Sequence, residues 1–158
     1  MPSGRMSAET TSDDLPTPLE GFLPVETTGP FMAMLGPLYY RPVEGGMIIA
    51  LRMAEKHLNR RGIAHGGMLV TLADSAMGMN LACTREPRLW TVTSSLSTDF
   101  IDAARKGDWV EAQVEILKIG ARLAYASCYL TVGTRRILRA SGVFAVVHPV
   151  RPDESSEG

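Results

Sequence analysis

Two stretches of the chain combine residue types that could do chemistry. The first is residues 68–82, MLVTLADSAMGMNLA, which hold Asp74 in otherwise apolar surroundings with no strong helix breaker except Gly78. The neighbours three and four positions from Asp74 are Val70, Thr71, Met77 and Gly78, none of them basic. A carboxylate with no cation within one turn is costly to bury, so it must find a partner elsewhere or do chemistry. The plainer alternatives are an acid bonded through Thr71 or Ser75, or one that faces solvent on a less buried side. The second stretch is the polar, Gly-rich run 59–67, NRRGIAHGG, which leads directly into the first. The first amides of a helix have no internal partner and carry its positive end, and glycines there let a ligand oxygen approach the backbone. Such an arrangement suits an anion or a developing oxyanion. Gly66 and Gly67 could equally make only a tight turn. His65 could contact a ligand or cap the helix, and Asn59 could anchor the loop through side-chain-to-backbone bonds.

Other constellations are missing. The chain has no G-x-x-x-x-G-K-[ST], no H-E-x-x-H, no G-x-S-x-G and no G-x-G-x-x-G. His57, His65 and His148, with two distant cysteines, give no zinc-ligand spacing. The Thr/Ser row between Trp90 and Asp99 reads as a solvated sheet face. Met68, Met77 and Met79 read as core filler, Arg135, Arg136 and Arg139 as a solvated hairpin end, and Cys83 and Cys128 as small buried apolar residues.

The elements that must position these groups follow from periodicity. Residues 30–36 read as a short helix stopped by Gly36 and Pro37. Residues 38–42 and 46–55 read as strands and 57–67 as a loop. Residues 68–82 are apolar on nearly every face, which marks a buried helix. Residues 90–101, 109–118, 121–132 and 137–147 are strands; the first two alternate apolar and polar side chains, which gives one buried and one polar face. Gly120 and Gly133 lie in short links that make hairpins. The expected architecture is α+β: two strands, a central helix, then an antiparallel meander curled over that helix.

Composition bounds the rest. The chain has 158 residues, with 16 Lys and Arg against 17 Asp and Glu, and a pI near 6.3. That is one domain, and a domain of this size hides about 68–70% of its unfolded surface. A balanced charge argues against nucleic acid or a polybasic membrane anchor as partner. The start has no apolar signal region, and no run reaches the ~18 apolar residues of a membrane span. The expected compartment is the cytosol. Residues 1–29 are expected as a flexible segment, 30–148 as the domain and 149–158 as a flexible tail.

Asn59, His65-Gly66-Gly67 and Asp74, at these spacings, resemble the signature of hotdog-fold acyl-CoA thioesterases of the phenylacetate-pathway, PaaI-like group. The likeness continues through residues 94–100 (SSLSTDF), 104–108 (ARKGD), 120–124 (GARLA) and the last strand, and covers roughly 30–148. It implies a hotdog fold, a curled antiparallel sheet of five to six strands around one long central helix. It implies that Asp74 is the catalytic carboxylate, as base for water or as nucleophile on the thioester carbonyl. The Gly66 amide would polarise that carbonyl, and His65 and Asn59 would support the loop or the attacking water. Thr93 falls near a family Ser/Thr that orients water, and Gly67 and Arg122 would contact substrate. No cofactor and no metal is implied. Relatives that use Glu have a different loop pattern, and the HGG form here fits the Asp class. The residues 98–104 lack a proline that the family often has near the strand's end.

The implied partners are an acyl-CoA substrate and further copies of the chain, as a dimer or dimer of dimers with sites at the subunit interface. Gly66 and Asp74 lie ~12 Å apart along a helix, whereas groups serving one carbonyl should lie within ~3 Å of it. That spacing points to a site shared by two chains. The competing readings on the same fold are an enoyl-CoA hydratase or dehydratase, disfavoured because no acidic residue follows His65 in the loop, and a non-catalytic acyl-CoA-binding module.

Overall fold

The apolar stretch becomes one helix and the alternating stretches become the sheet around it. The computed structural model describes residues 17–148, so the expectations for 1–16 and 149–158 lie outside the described residues. In chain order the elements are β1 (Leu23–Pro24), α1 (Pro30–Leu35), β2 (Tyr39–Val43), β3 (Gly46–Arg52), α2 (Gly66–Ala82), β4 (Trp90–Phe100), β5 (Trp109–Ile119), β6 (Leu123–Val132) and β7 (Arg135–Val147). Proline at the first position of α1 and Gly36 at its end bound that helix as expected. A short 3-10 turn, Glu55–His57, interrupts the segment after β3, so β3 ends earlier than the sequence suggests. Among the described residues no helix is long and apolar enough to cross a membrane.

The sheet has seven antiparallel strands in the order β1-β2-β3-β5-β6-β7-β4. Two corrections follow. The seventh strand is the two-residue β1, too short to show an alternation. Ahead of it, Phe22 is buried and meets the Trp109 ring edge-on at 5.1 Å, so the folded body begins before residue 30. The second correction concerns connectivity: β4 does not pair with β5. It pairs with β7 at the end of the sheet, and β5 lies beside β3. The connection over residues 101–108 is too long for a tight hairpin. It is tied across the sheet end by Ala64 N–H to Ala104 O at 2.8 Å and by Met53 N–H to Asp108 O at 2.8 Å.

Expected to be buried all round, α2 in fact has two faces. Met68, Leu69, Leu72, Ala73, Ala76, Met77, Asn80 and Leu81 are buried against the sheet, a stripe that repeats every four residues. Thr71, Asp74, Ser75, Gly78 and Met79, on the other side, are only partly covered. The composition of that side hid the difference, because Val70, Gly78 and Met79 are as apolar as the core. Asn80 is the polar member of the buried stripe. Its side chain accepts from Met47 N–H at 2.9 Å and donates to Met47 O at 3.0 Å and Ala76 O at 2.9 Å, so it pairs with β3 as a neighbouring strand would. A Cβ on Gly46 would collide with the Asn80 carboxamide oxygen, which accounts for glycine there.

The alternation of β4 changes phase partway. The register with β7 shifts between Thr93 and Ser95, a bulge at Ser94. Residues paired across an antiparallel ladder share a face, so Thr93 lies with buried Phe144, Leu96 with Gly142, and Phe100 with buried Leu138. Thr93, Leu96 and Phe100 therefore point to the same, helix side. An unbroken alternation would have put Thr93 opposite the other two. The outer neighbours Trp90 and Val92 stay 56% and 57% exposed.

Two minor expectations also change. Cys83 is exposed; only Cys128 is buried, and burial pushes its thiol pKa up to about 12. Arg135 and Arg139 are exposed but paired, to Asp102 at 2.8 Å and Asp99 at 2.6 Å, and the Arg136 guanidinium lies over the Tyr129 ring. Arg135 also holds the Asp102 carboxyl below its ordinary pKa.

Candidate functional site

The bulge in β4 and the partly covered face of α2 meet at Asp74. The Thr93 hydroxyl donates to Asp74 Oδ1 at 2.7 Å. Neither of the local partners suggested by sequence takes that role. Thr71 donates instead to Gly67 O at 2.8 Å, and Ser75 to the Met32 thioether at 3.2 Å. The carboxylate is thus held by a neutral donor on one oxygen, with no cation against it among the hydrogen bonds and ion pairs of the described residues. A carboxylate so placed keeps its second oxygen free to take a proton or attack an electrophile.

Asp74 and Thr93 stand on the wall of a cavity of about 1040 Å³. Met32, Leu38, Met47, Met79 and Phe144 are among the apolar residues of its lining. The segment from Leu23 to Gly29 and α1 close one side of it. Sequence reading missed this wall: the segment falls within residues 1–29, expected as a flexible N-terminal segment. Met79 packs against the core and also lines the cavity, and Met68 and Met77 are buried as expected.

The Gly-rich loop is built separately. Asn59 Oδ1 accepts from Arg61 N–H at 2.8 Å and from Ile63 N–H at 3.5 Å, which closes a tight turn. Gly62 in that turn has φ +75°, a backbone state that glycine adopts without strain. His65 is the N-cap of α2: its Nδ1 accepts from Gly67 N–H at 3.0 Å, and its carbonyl accepts from Met68 and Leu69. The Gly66 amide, at the first helical position, has no acceptor within the helix. A Cβ on Gly66 would stand 3.1 Å from the Phe100 ring, and one on Gly67 3.2 Å from the His65 ring. Both glycines thus answer to close neighbours as well as to the turn.

His57, not singled out as a functional residue by sequence, ties the two parts together. Its Nδ1 accepts from Ala54 N–H at 2.9 Å and its Nε2 donates to Leu35 O at 2.6 Å, at the end of α1. Its carbonyl accepts from His65 N–H at 2.8 Å. Burial holds its pKa below the ordinary histidine value, against the Leu35 hydrogen bond that raises it and with the neighbouring Lys56 charge adding to the lowering.

The structure therefore brings Asp74 and Thr93 together, and gathers Asn59, His65, Gly66 and Gly67 at the helix start. Arg122 joins neither group. It is exposed in the β5–β6 turn, its carbonyl accepting from Val146 N–H, two strands from β4. Among the described residues no three His, Cys, Asp or Glu are gathered closely enough to hold a metal ion.

Comparison with known proteins identifies relatives. The thioesterase superfamily model matches residues 61–138, which include the loop from Arg61, the whole of α2 and Thr93. A Pseudomonas aeruginosa protein named as a candidate esterase is 44% identical over 126 residues, 79% of this chain and 94% of that one. Mouse acyl-coenzyme A thioesterase 13 is 35% identical over 96 residues, 61% of this chain and 68% of that one. Among solved structures, a point variant of the phenylacetic acid degradation protein PaaI from Thermus thermophilus superposes with a TM-score of 0.66 at 28% identity, over 75% of this chain and 99% of that one.

Proposed function

The chain belongs to the thioesterase superfamily and is a thioester hydrolase of the hotdog fold, and we propose that it hydrolyses an acyl-CoA to the free acid and CoA with Asp74 as the catalytic carboxylate. The observation that carries this reading is Asp74 on the wall of a largely apolar cavity, one oxygen held by Thr93. The cavity takes the acyl group, and the thioester carbonyl lies at the carboxylate. In the base route, the free oxygen of Asp74 accepts a proton from water while the water oxygen attacks the carbonyl carbon. The oxygen of the tetrahedral intermediate then accepts a hydrogen bond from the Gly66 amide. Collapse breaks the carbon–sulfur bond, and the CoA thiolate takes the proton. In the nucleophilic route, Asp74 attacks the carbonyl itself and expels the CoA thiolate to leave a mixed anhydride; water then cleaves the anhydride to the free acid and the Asp74 carboxylate, and the proton released goes to the thiolate. One pre-aimed oxyanion donor is worth ~10²–10³ in rate, which suffices beside one carboxylate for an already electrophilic thioester.

The Gly66 amide comes from a second chain. Within one chain, Gly66 packs near Phe100 at one end of β4, while Asp74 bonds Thr93 towards the other. The two are ~12 Å apart along α2, too far to serve one carbonyl. A two-fold pairing that sets two α2 helices antiparallel brings one helix start to the middle of the other. The edge of β4 supports such a pairing. It is an eleven-residue strand at the end of the sheet, with Trp90, Val92 and Phe100 each more than half exposed, and an open edge of that length is normally covered.

The test is complementation with a panel of acyl-CoAs. Asp74→Asn and Asn59→Ala chains, each nearly inactive alone, are unfolded together and refolded. With a shared site, random pairing makes half the dimers mixed, and each mixed dimer has one intact site, so about a quarter of wild-type activity returns. No recovery, with mixed dimers seen by mass spectrometry, rules out the shared site. No CoA release by the wild type, or a change in double-bond absorbance without it, rules out acyl-CoA hydrolysis.

A further inference from the structure

We infer that Gly78 sets the size limit of the acyl group, by leaving open the space beside α2 into which a long aliphatic chain extends; this rests on the acyl-CoA reading above. Three glycines lie in α2. Gly66 and Gly67 have a reason in their neighbours, the Phe100 and His65 rings. Gly78 has none. Its φ is not positive, and a Cβ built there meets no atom of the described residues within 4 Å. In a helix interior, glycine lowers stability relative to alanine, a cost that no contact among the described residues explains.

What Gly78 does border is the cavity. It lies four residues beyond Asp74, on the same helix face and ~6 Å further along the axis. A side chain there would project beside the path that leads from the reacting carbonyl into the cavity. The cavity, at about 1040 Å³, stands at the upper end of the ~300–1,000 Å³ usual for small-molecule sites, far more than a two-carbon acyl group fills. The cavity's apolar walls include Met32, Met47 and Met79 with Leu38 and Phe144. Methionine side chains are unbranched and adaptable. They suit a flexible hydrocarbon chain better than a flat ring held in one orientation. The other use of an unexplained glycine is close approach of a second helix, and the experiment separates the two.

Wild type, Gly78→Ala and Gly78→Leu are compared on straight-chain acyl-CoAs from two to about sixteen carbons and on one aryl-acyl-CoA, with light scattering of each protein. The alanine variant folds, because its methyl enters open space and favours the helix. In the wild type, kcat/KM should rise with chain length to a limit. In Gly78→Leu, the ratio of long-chain to short-chain kcat/KM should fall at least about tenfold, with Gly78→Ala between and all three proteins still dimers. Parallel profiles in the three proteins overturn the inference while leaving the hydrolase reading intact. So does a leucine variant that turns monomeric with its chain-length preference unmoved, which makes Gly78 a contact between copies. A wild type fastest on the aryl substrate also overturns it. If the wild type releases CoA from none of the substrates, the acyl-CoA reading fails and the inference falls with it.

Discussion

The start of α2 and its middle are built on opposite plans. At the start, the groups around the Gly66 amide are each occupied by their own surroundings. His65 caps Gly67, the Asn59 turn braces the loop, and the Phe100 ring fills the space over Gly66. In the middle, Asp74 has one neutral partner, a Cβ on Gly78 would meet no described residue within 4 Å, and both border open volume. A tightly braced amide is suited to meet charge that appears only in a transition state, because it needs no reorganisation at that moment. An acid beside open volume is suited to meet substrate. In the shared site proposed above, the braced end serves another chain's open middle.

The strongest way to break that comparison is at the acid. Asp74→Asn keeps the shape and the Thr93 contact but removes the base, so kcat should fall by at least ~10². The melting temperature should change little, since the side chain lies on the partly covered face. Near-normal turnover by folded protein would move the chemistry away from Asp74.

At the braced end, the expected loss is smaller and can be reversed. Gly66→Ala sets a methyl 3.1 Å from the Phe100 ring, so either the ring or the amide must shift by a few tenths of an ångström. A misplaced oxyanion donor should cost about tenfold to 10² in kcat. Phe100→Leu in the same chain should restore much of it by making room. A double variant as slow as the single one would show that the bracing by Phe100 is not what aims the amide.

Thr93→Val tests the single bond that holds the acid. A hydrogen bond to a charged group contributes ~1.5–3 kcal/mol, and part of it persists as the carboxylate relaxes. A loss of about tenfold in kcat with little change in KM is expected. A rise in KM alone would make Thr93 a substrate contact instead.

The two plans were unequally legible in the sequence. Much of the helix start could be read, because capping and tight turns are local and use few residue types: Asn59, His65 and Gly67 each lie within a few residues of their partners, whereas the Phe100 ring over Gly66 comes from β4. The partner of Asp74 depends on tertiary register. An even alternation along β4 turns Thr93 away from the helix, and only the bulge at Ser94 reverses it. The place of Thr93 came from likeness to a family, not from periodicity. The cavity was illegible for a related reason. Its walls come from the Leu23–Gly29 segment, α1, β3 and β4, and each contributes too few residues to show a pattern. The face of α2 that borders it is composed like the face that is buried. The sheet's strand content was readable from alternation, but its order was not, since the placement of β5 beside β3 is fixed by contacts around residues 101–108.

The smallest effect, and the one that joins the two regions, belongs to His57. Ala54 N–H can only donate, so Nδ1 must accept and Nε2 must carry the proton that reaches Leu35 O. The ring is therefore neutral, and it fastens α1, a wall of the cavity, to the loop that ends in His65. Protonation would turn Nδ1 into a donor facing another donor. The folded pKa lies below the ordinary 6.5, so below about that pH the unfolded chain binds more protons than the folded one. By linkage, stability contributed by neutral His57 is full above 6.5 and declines as pH falls towards the folded pKa. Lys56 donates to Met34 O and Gly36 O beside the same helix end. Denaturant midpoints at about pH 7.5 and about pH 5.5 should fall further on acidification in the wild type than in His57→Gln, which has no titrating ring there. Carboxylates elsewhere contribute the same slope to both proteins and cancel. At about pH 7.5 the variant should be destabilised by ~1–3 kcal/mol, with kcat lowered only a few-fold, because Asp74 and the helix start are each held by their own bonds. Equal pH slopes in the two proteins would mean that the ring is not the titrating tie between the cavity wall and the loop.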